Sequence, residues 1–132
     1  MASRRGLLLD TSVFIWAGTH FERISSSAVS QISDPEENLF VSIASVLEMQ
    51  IKHGLGKLPL VDEADRVARR LAASLDVEFL YVTLDHLSAL YRLPSIHRDP
   101  FDRLLAAQSI VEGLTLLSPD PVFKRYPVEL LW

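Results

Sequence analysis

Short apolar runs, several of them continuous, constrain this chain more than any other feature. Gly6-Leu7-Leu8-Leu9, Leu39-Phe40-Val41, Glu78-Phe79-Leu80-Tyr81-Val82 and Leu114-Thr115-Leu116-Leu117 are each only three to five residues long, and Val128 to Trp132 offers a fifth. A strand with one face in water alternates apolar and polar residues, whereas a strand buried on both faces is apolar throughout. Helical patterns separate the runs. They lie at Val13 to Ala17, from the serines 25–27 to Ile32, at Ile43 to His53, Val61 to Leu75, Asp85 to Leu93 and Asp99 to Gly113. Strands alternating with helices predict an α/β fold, a parallel sheet flanked by helices on both faces. In such sheets ligands bind beyond the carboxyl ends of the strands, where Asp10 and Asp120 both fall.

With 132 residues, 48% of them hydrophobic, the chain can bury one core, and residues 1–132 are expected to form a single domain. Neither an apolar run of membrane-spanning length nor a signal peptide is expected, so the predicted location is the cytoplasm, away from membranes. The absence of cysteine excludes disulfides, a catalytic thiol and thiolate-held metal. Thirteen basic and 17 acidic residues leave a net charge of −4, unlike the broadly basic surface of a nonspecific duplex-DNA binder. A carboxylate metal site is compatible with that balance, because it contributes negative charge that a cation neutralises.

Four acids stand where chemistry could be done: Asp10 after the first strand, Glu48 inside an apolar helix, Asp102 in the first turn of the last helix, and Asp120 after the fourth strand. Converging carboxylates need a cation to offset their repulsion, and hard oxygen ligands suit Mg²⁺ or Mn²⁺. Each acid also has a structural explanation. Asp10 can cap the following helix, and Asp120 before Pro121 can cap a short turn. Asp99 before Pro100 has the same form, which leaves Asp102 to favour the helix dipole. Glu48 can pair with Lys52 one helical turn on.

Other chemistries find less support. His20, His53, His86 and His97 show no close pair with ligand spacing and are expected at the surface or in local hydrogen bonds. No Gly-x-Ser-x-Gly elbow is present, and Gly54-Leu55-Gly56-Lys57-Leu58 lacks the spacer and hydroxyl of a phosphate loop, reading instead as a helix stop and turn. Arg66, Arg69 and Arg70 read as a solvated helix face with the capacity to meet phosphates.

Several segments together resemble PIN-domain ribonucleases, in particular the VapC-type toxins of bacterial type II toxin-antitoxin pairs. Leu8-Leu9-Asp10-Thr11-Ser12 is similar to the first strand and catalytic aspartate. Ser42 to Lys52 with Gly56-Lys57-Leu58 is similar to the second signature, and His97-Arg98-Asp99-Pro100-Phe101-Asp102-Arg103-Leu104-Leu105-Ala106-Ala107-Gln108 to the third. Ser118-Pro119-Asp120, Tyr126-Pro127 and Leu131-Trp132 fit the C-terminal pattern. Leu47 stands where a tryptophan is common, and Ser118 where threonine is usual.

The resemblance implies a Rossmann-like PIN fold and a Mg²⁺- or Mn²⁺-dependent endoribonuclease that cuts single-stranded or looped RNA. Asp10, Glu48 and Asp102 would form the core metal site and Asp120 the fourth, more variable acid. Asp102 is preferred to Asp99 because Asp-Arg-Leu-Leu-Ala-Ala matches the family's segment. Thr11, Ser12, Ser118 and Asp99 would support. A homodimer is implied, with a small VapB-type antitoxin that blocks the acidic pocket. Two rivals remain: a PIN-like scaffold that binds RNA or protein without cutting, and a phosphoacceptor receiver domain. The receiver would need paired acids at the first strand and an aspartate after the third, where Val82-Thr83-Leu84 stands.

Overall fold

The computed structural model describes residues 6–95 and 99–132. Five strands, β1 (Leu7–Leu9), β2 (Leu39–Ser42), β3 (Val77–Leu80), β4 (Thr115–Leu117) and β5 (Leu130–Leu131), form one all-parallel sheet in the order 3-2-1-4-5. A receiver-like sheet would run 2-1-3-4-5. Among the described residues six helices accompany it: α1 (Thr11–Thr19), α2 (Ser26–Ile32), α3 (Ile43–Gly54), α4 (Ala64–Leu75), α5 (Leu84–Arg92) and α6 (Pro100–Glu112), with short 3-10 turns at Phe21–Arg23 and Pro121–Arg125.

The apolar runs bury both faces of the sheet. Leu7 and Leu9 point into a core with Val13, Phe14, Val41, Met49 and the alanines of α4, while Leu8 points the other way, into a core with Phe40, Leu105, Leu116 and Phe123. All three leucines are at most 4% exposed, which is why no polar alternation shows in β1.

Boundaries moved where local chemistry overrides periodicity. Helix α4 begins at Ala64 rather than Val61, which is 97% exposed. Before it, Asp62 accepts from the Glu63 N–H at 2.8 Å and from Arg70 at 3.1 Å, holding a turn. Strand β3 runs from Val77 to Leu80, and Tyr81 and Val82 leave the sheet exposed. Helix α6 stops at Gly113 in the left-handed region (φ 66°), the role expected of a glycine there.

β1 lies between β2 and β4, so the chain winds away from it in both directions. That switch point opens a crevice at the carboxyl ends of β1 and β4, the place where this sheet class accepts ligands.

Candidate active site

Asp10 follows β1, and its N–H donates to Leu117 O at 3.1 Å, tying the ends of β1 and β4 together. Its extended backbone lets the side chain turn back over α1, where Oδ1 accepts from the Val13 N–H at 2.9 Å. Oδ2 accepts from the Ser118 hydroxyl. Ser118 Oγ itself accepts from the Asp120 N–H at 3.1 Å, and Asp120 Oδ1 accepts from the Val122 N–H at 3.0 Å, capping the 3-10 turn. The buried Ser118 thus links the two acids at the strand ends.

Glu48 enters from the middle of α3 and is 6% exposed. Both oxygens have partners: the Thr11 hydroxyl donates to Oε1 at 2.7 Å and the Lys52 ammonium to Oε2 at 2.6 Å. Thr11 Oγ1 is also hydrogen-bonded to Ser45 Oγ at 2.9 Å, so a polar chain ties α1 to α3 behind the carboxylate. Asp99 Oδ1 accepts from the Phe101 N–H at 2.9 Å as the cap of α6, and Asp102 follows in that helix's first turn.

These side chains meet in one cavity of about 320 Å³. Its walls carry Asp10, Glu48, Asp102 and Asp120 together with Thr11, Ser12, Asp99, Lys52, Trp16 and Pro119. Seven of the eight residues singled out from sequence line it, and the eighth, Ser118, lies buried behind Asp10. The structural explanations hold alongside: Asp10, Asp99 and Asp120 are caps, and Glu48 is paired with Lys52. A larger cavity of about 540 Å³ opens at the opposite, amino-terminal edge beside Gly6 and Thr115, with Glu37 and Glu129 as its acids. It lacks the convergence of strand ends and helix starts found here.

Burial pushes the Asp10 carboxyl above the ordinary range, hydrogen bonds from Ser118 and Val13 oppose the shift, and the charges of Glu48 and Asp120 add to it. Lys52 is shifted up, first by its hydrogen bond to Glu48 and further by the charges of Glu48, Asp99 and Asp102. The site therefore favours positive charge. Its described lining offers carboxylates and hydroxyls but no imidazole or thiol, a donor set for a hard cation. Among the described residues no three His, Asp or Glu side chains form a preassembled ligand cluster. The carboxylates instead line a cavity with room for water, and Mg²⁺ is commonly held by one or two carboxylates and several waters. The residues fit such an ion.

Lys52, Trp16 and Pro119 are the lining residues that the sequence did not single out as site residues. Helical spacing could have found the first two, since Lys52 follows Glu48 by four positions and Trp16 follows Ser12 by four, and Pro119 stands between Ser118 and Asp120. Of the two expectations for the histidines, His86 meets the local hydrogen bond and not the surface position: it is fully buried, accepts from the Thr83 N–H through Nδ1 at 3.0 Å, and meets Glu112 through Nε2 at 2.8 Å, joining α5 to α6. His97, Arg98 and the basic pair Arg4 and Arg5 lie outside the described residues. Arg66, Arg69 and Arg70 pair with Asp62, Glu63 and Asp65 on the solvated face of α4 and take no part in the cavity.

Comparison with known proteins bears on the fold. The fold is similar to that in the crystal structure of VapBC2 from Rickettsia felis bound to a DNA fragment from their promoter, with TM-score 0.72, 20% identity, and coverage of 96% of this chain and 98% of that one. It is similar to VapBC-1 from nontypeable Haemophilus influenzae, with TM-score 0.64, 17% identity, and coverage of 95% and 96%. A toxin-antitoxin complex from Klebsiella pneumoniae gives TM-score 0.63 at 14% identity, with coverage of 96% and 97%. No curated protein matches the sequence. The family match itself is to the PIN domain and extends over residues 7–129, so this chain belongs to the PIN domain family.

Proposed function

We propose that this chain is a VapC-type toxin, a single PIN domain acting as a Mg²⁺- or Mn²⁺-dependent endoribonuclease on single-stranded or looped RNA. The observation that carries the reading is the gathering of Asp10, Glu48, Asp102 and Asp120, from four separate segments, in one cavity at the switch point of the sheet. Likeness in fold to the toxin-antitoxin complexes supports the choice within the family. In this reading the toxin works in the cytoplasm as a homodimer and is silenced by a small VapB-type antitoxin.

Asp10, Glu48 and Asp102 would hold the cation, directly or through water, with Asp120 assisting. When bound, the cation supplies polarisation of the phosphate and a more acidic attacking water. The chain's own groups orient the carboxylates. Ser118 and the Val13 N–H fix the two oxygens of Asp10, while Thr11 and Lys52 fix those of Glu48. Ser12, exposed at the start of α1 in the cavity wall, would meet a water or a phosphate oxygen. Lys52 gives the cavity a cationic group for the anionic substrate once the carboxylate charge is offset.

Purified protein incubated with single-stranded RNA is expected to cut it in Mg²⁺ or Mn²⁺. Cleavage should stop in EDTA and fall to background in Asp10→Asn with an unchanged circular dichroism spectrum. Robust cleavage by metal-stripped protein overturns the metal-dependent reading. Metal binding without cleavage of any RNA leaves the non-cutting scaffold in its place.

A further inference from the structure

The sequence contains two tryptophans, Trp16 in α1 and Trp132 just past β5, and the fold sets them against each other. Their ring centroids lie 6.2 Å apart with the planes inclined by 57°. Each packs partly on the core beneath α1 and α4, and each keeps the rest of its ring outside it. Trp16 forms part of the acid cavity wall. Trp132 forms part of a neighbouring cavity of about 380 Å³ that also contains Lys124. The two cavities adjoin, with Pro119 and Asp120 lining both, so Trp16 and Lys124 belong to neighbouring hollows on either side of these residues. Arg23 stands over Trp16, with its Cζ 5.9 Å from the ring centroid.

Core packing accounts for one side of each indole but not for the sides that face the cavities. Aromatic surface accompanied by cations, here Lys52 at one end, Lys124 at the other and Arg23 over one face of Trp16, is the composition of a groove for single-stranded nucleic acid. There bases stack on the rings and phosphates meet the cations. Each cavity falls within the roughly 300–1,000 Å³ typical of small-ligand sites. A strand whose phosphate sits at the carboxylates has to leave along a wall, and this one offers stacking followed by a positive charge.

We propose that Trp16 and Trp132 form a stacking subsite for the base next to the phosphate at the acid cavity, with Lys124 meeting the following phosphate. This inference rests on the RNA-cutting reading and adds a binding site to it. Because every base presents a π-face, the subsite selects unpaired nucleotides without selecting sequence.

Both tryptophans belong to the pair, so tryptophan fluorescence, excited beyond the absorption of the three tyrosines, reports on this site. Asp10→Asn protein in Mg²⁺, in which cleavage is at background, is titrated with a single-stranded RNA hexamer and with an abasic hexamer of the same charge. The base-bearing hexamer should change the fluorescence and bind at least about fivefold more tightly, the low end of what one stacked base contributes. Adding Trp16→Leu or Trp132→Leu should abolish that preference while abasic binding persists, and Lys124→Gln should weaken both hexamers. The comparison of hexamers on intact tryptophans needs no change to the pair, and Trp16→Phe preserves packing if Trp16→Leu unfolds. Equal binding of the two hexamers overturns the subsite, leaves RNA binding intact and returns the surface to a protein partner such as the antitoxin. Failure of both hexamers to bind overturns the subsite together with the RNA reading.

Discussion

At Asp10 one carboxylate caps α1 through Oδ1, accepts from Ser118 through Oδ2 and lines the acid cavity, all while 8% exposed. Burial, with smaller contributions from the charges of Glu48 and Asp120, raises its folded-state pKa above the unfolded value of 3.8. A raised carboxyl pKa makes ionisation destabilising. The penalty is absent below the unfolded pKa, grows as pH rises through that value to the folded one, and is fully present above it. Asparagine caps a helix as well as aspartate does. Metal-free Asp10→Asn should therefore equal or exceed the wild type in stability at pH 7.5, with the difference shrinking as pH falls through the window. Urea midpoints of both proteins across pH measure this. A variant less stable by more than about 1 kcal/mol at pH 7.5 would show that native hydrogen bonds outweigh the cost of the buried charge.

Among the elements, helix starts do most of the placing. Asp10, Asp99 and Asp120 each cap the helix or turn that they precede, so turn chemistry sets three carboxylates at the cavity before any cation is considered. Helix α6 separates the two roles within one turn, since Asp99 is its cap and Asp102 projects from N3 into the same cavity. Asp99→Asn should keep the cap, change stability by less than about 1 kcal/mol and retain Mn²⁺ binding. Asp102→Asn should lose Mn²⁺ binding. Calorimetric titration of the two proteins separates them, and the reverse pattern would move the metal-site role to Asp99.

For the whole molecule, carboxylates gathered from four segments couple the site to folding. An ion that binds only the folded arrangement stabilises it by about 2.7 kcal/mol at a hundredfold excess over its dissociation constant. Thermal melting at pH 7.5 should show the wild type gaining several degrees in Mn²⁺ relative to EDTA, and Asp10→Asn and Asp102→Asn gaining far less. If both variants are clearly less stable in EDTA and Mn²⁺ shifts none of the three proteins, the acids are caps and ion-pair partners only.

The sequence by itself determined the α/β class, because the unbroken apolar runs at Leu7–Leu9 and Leu39–Val41 leave no polar face and require cover on both sides. It also determined the caps, since Asp10, Asp99-Pro100 and Asp120-Pro121 act through N–H groups two or three residues away. Local spacing encodes which face of an element is apolar and where the element begins, but not which element lies next to it. The strand order that puts β4 beside β1 was decided by tertiary packing, and with it the meeting of Asp120 with Asp10. So was the direction of Glu48, whose helical phase shows it close to Lys52 but not in reach of the Thr11 hydroxyl, 37 positions earlier. The resemblance named Glu48 and Asp102 through matched motifs, and the three-dimensional arrangement brought them to one cavity. His86 against Glu112 and Trp16 against Trp132 are likewise long-range pairings, formed by the docking of α5 on α6 and the closing of the sheet by β5.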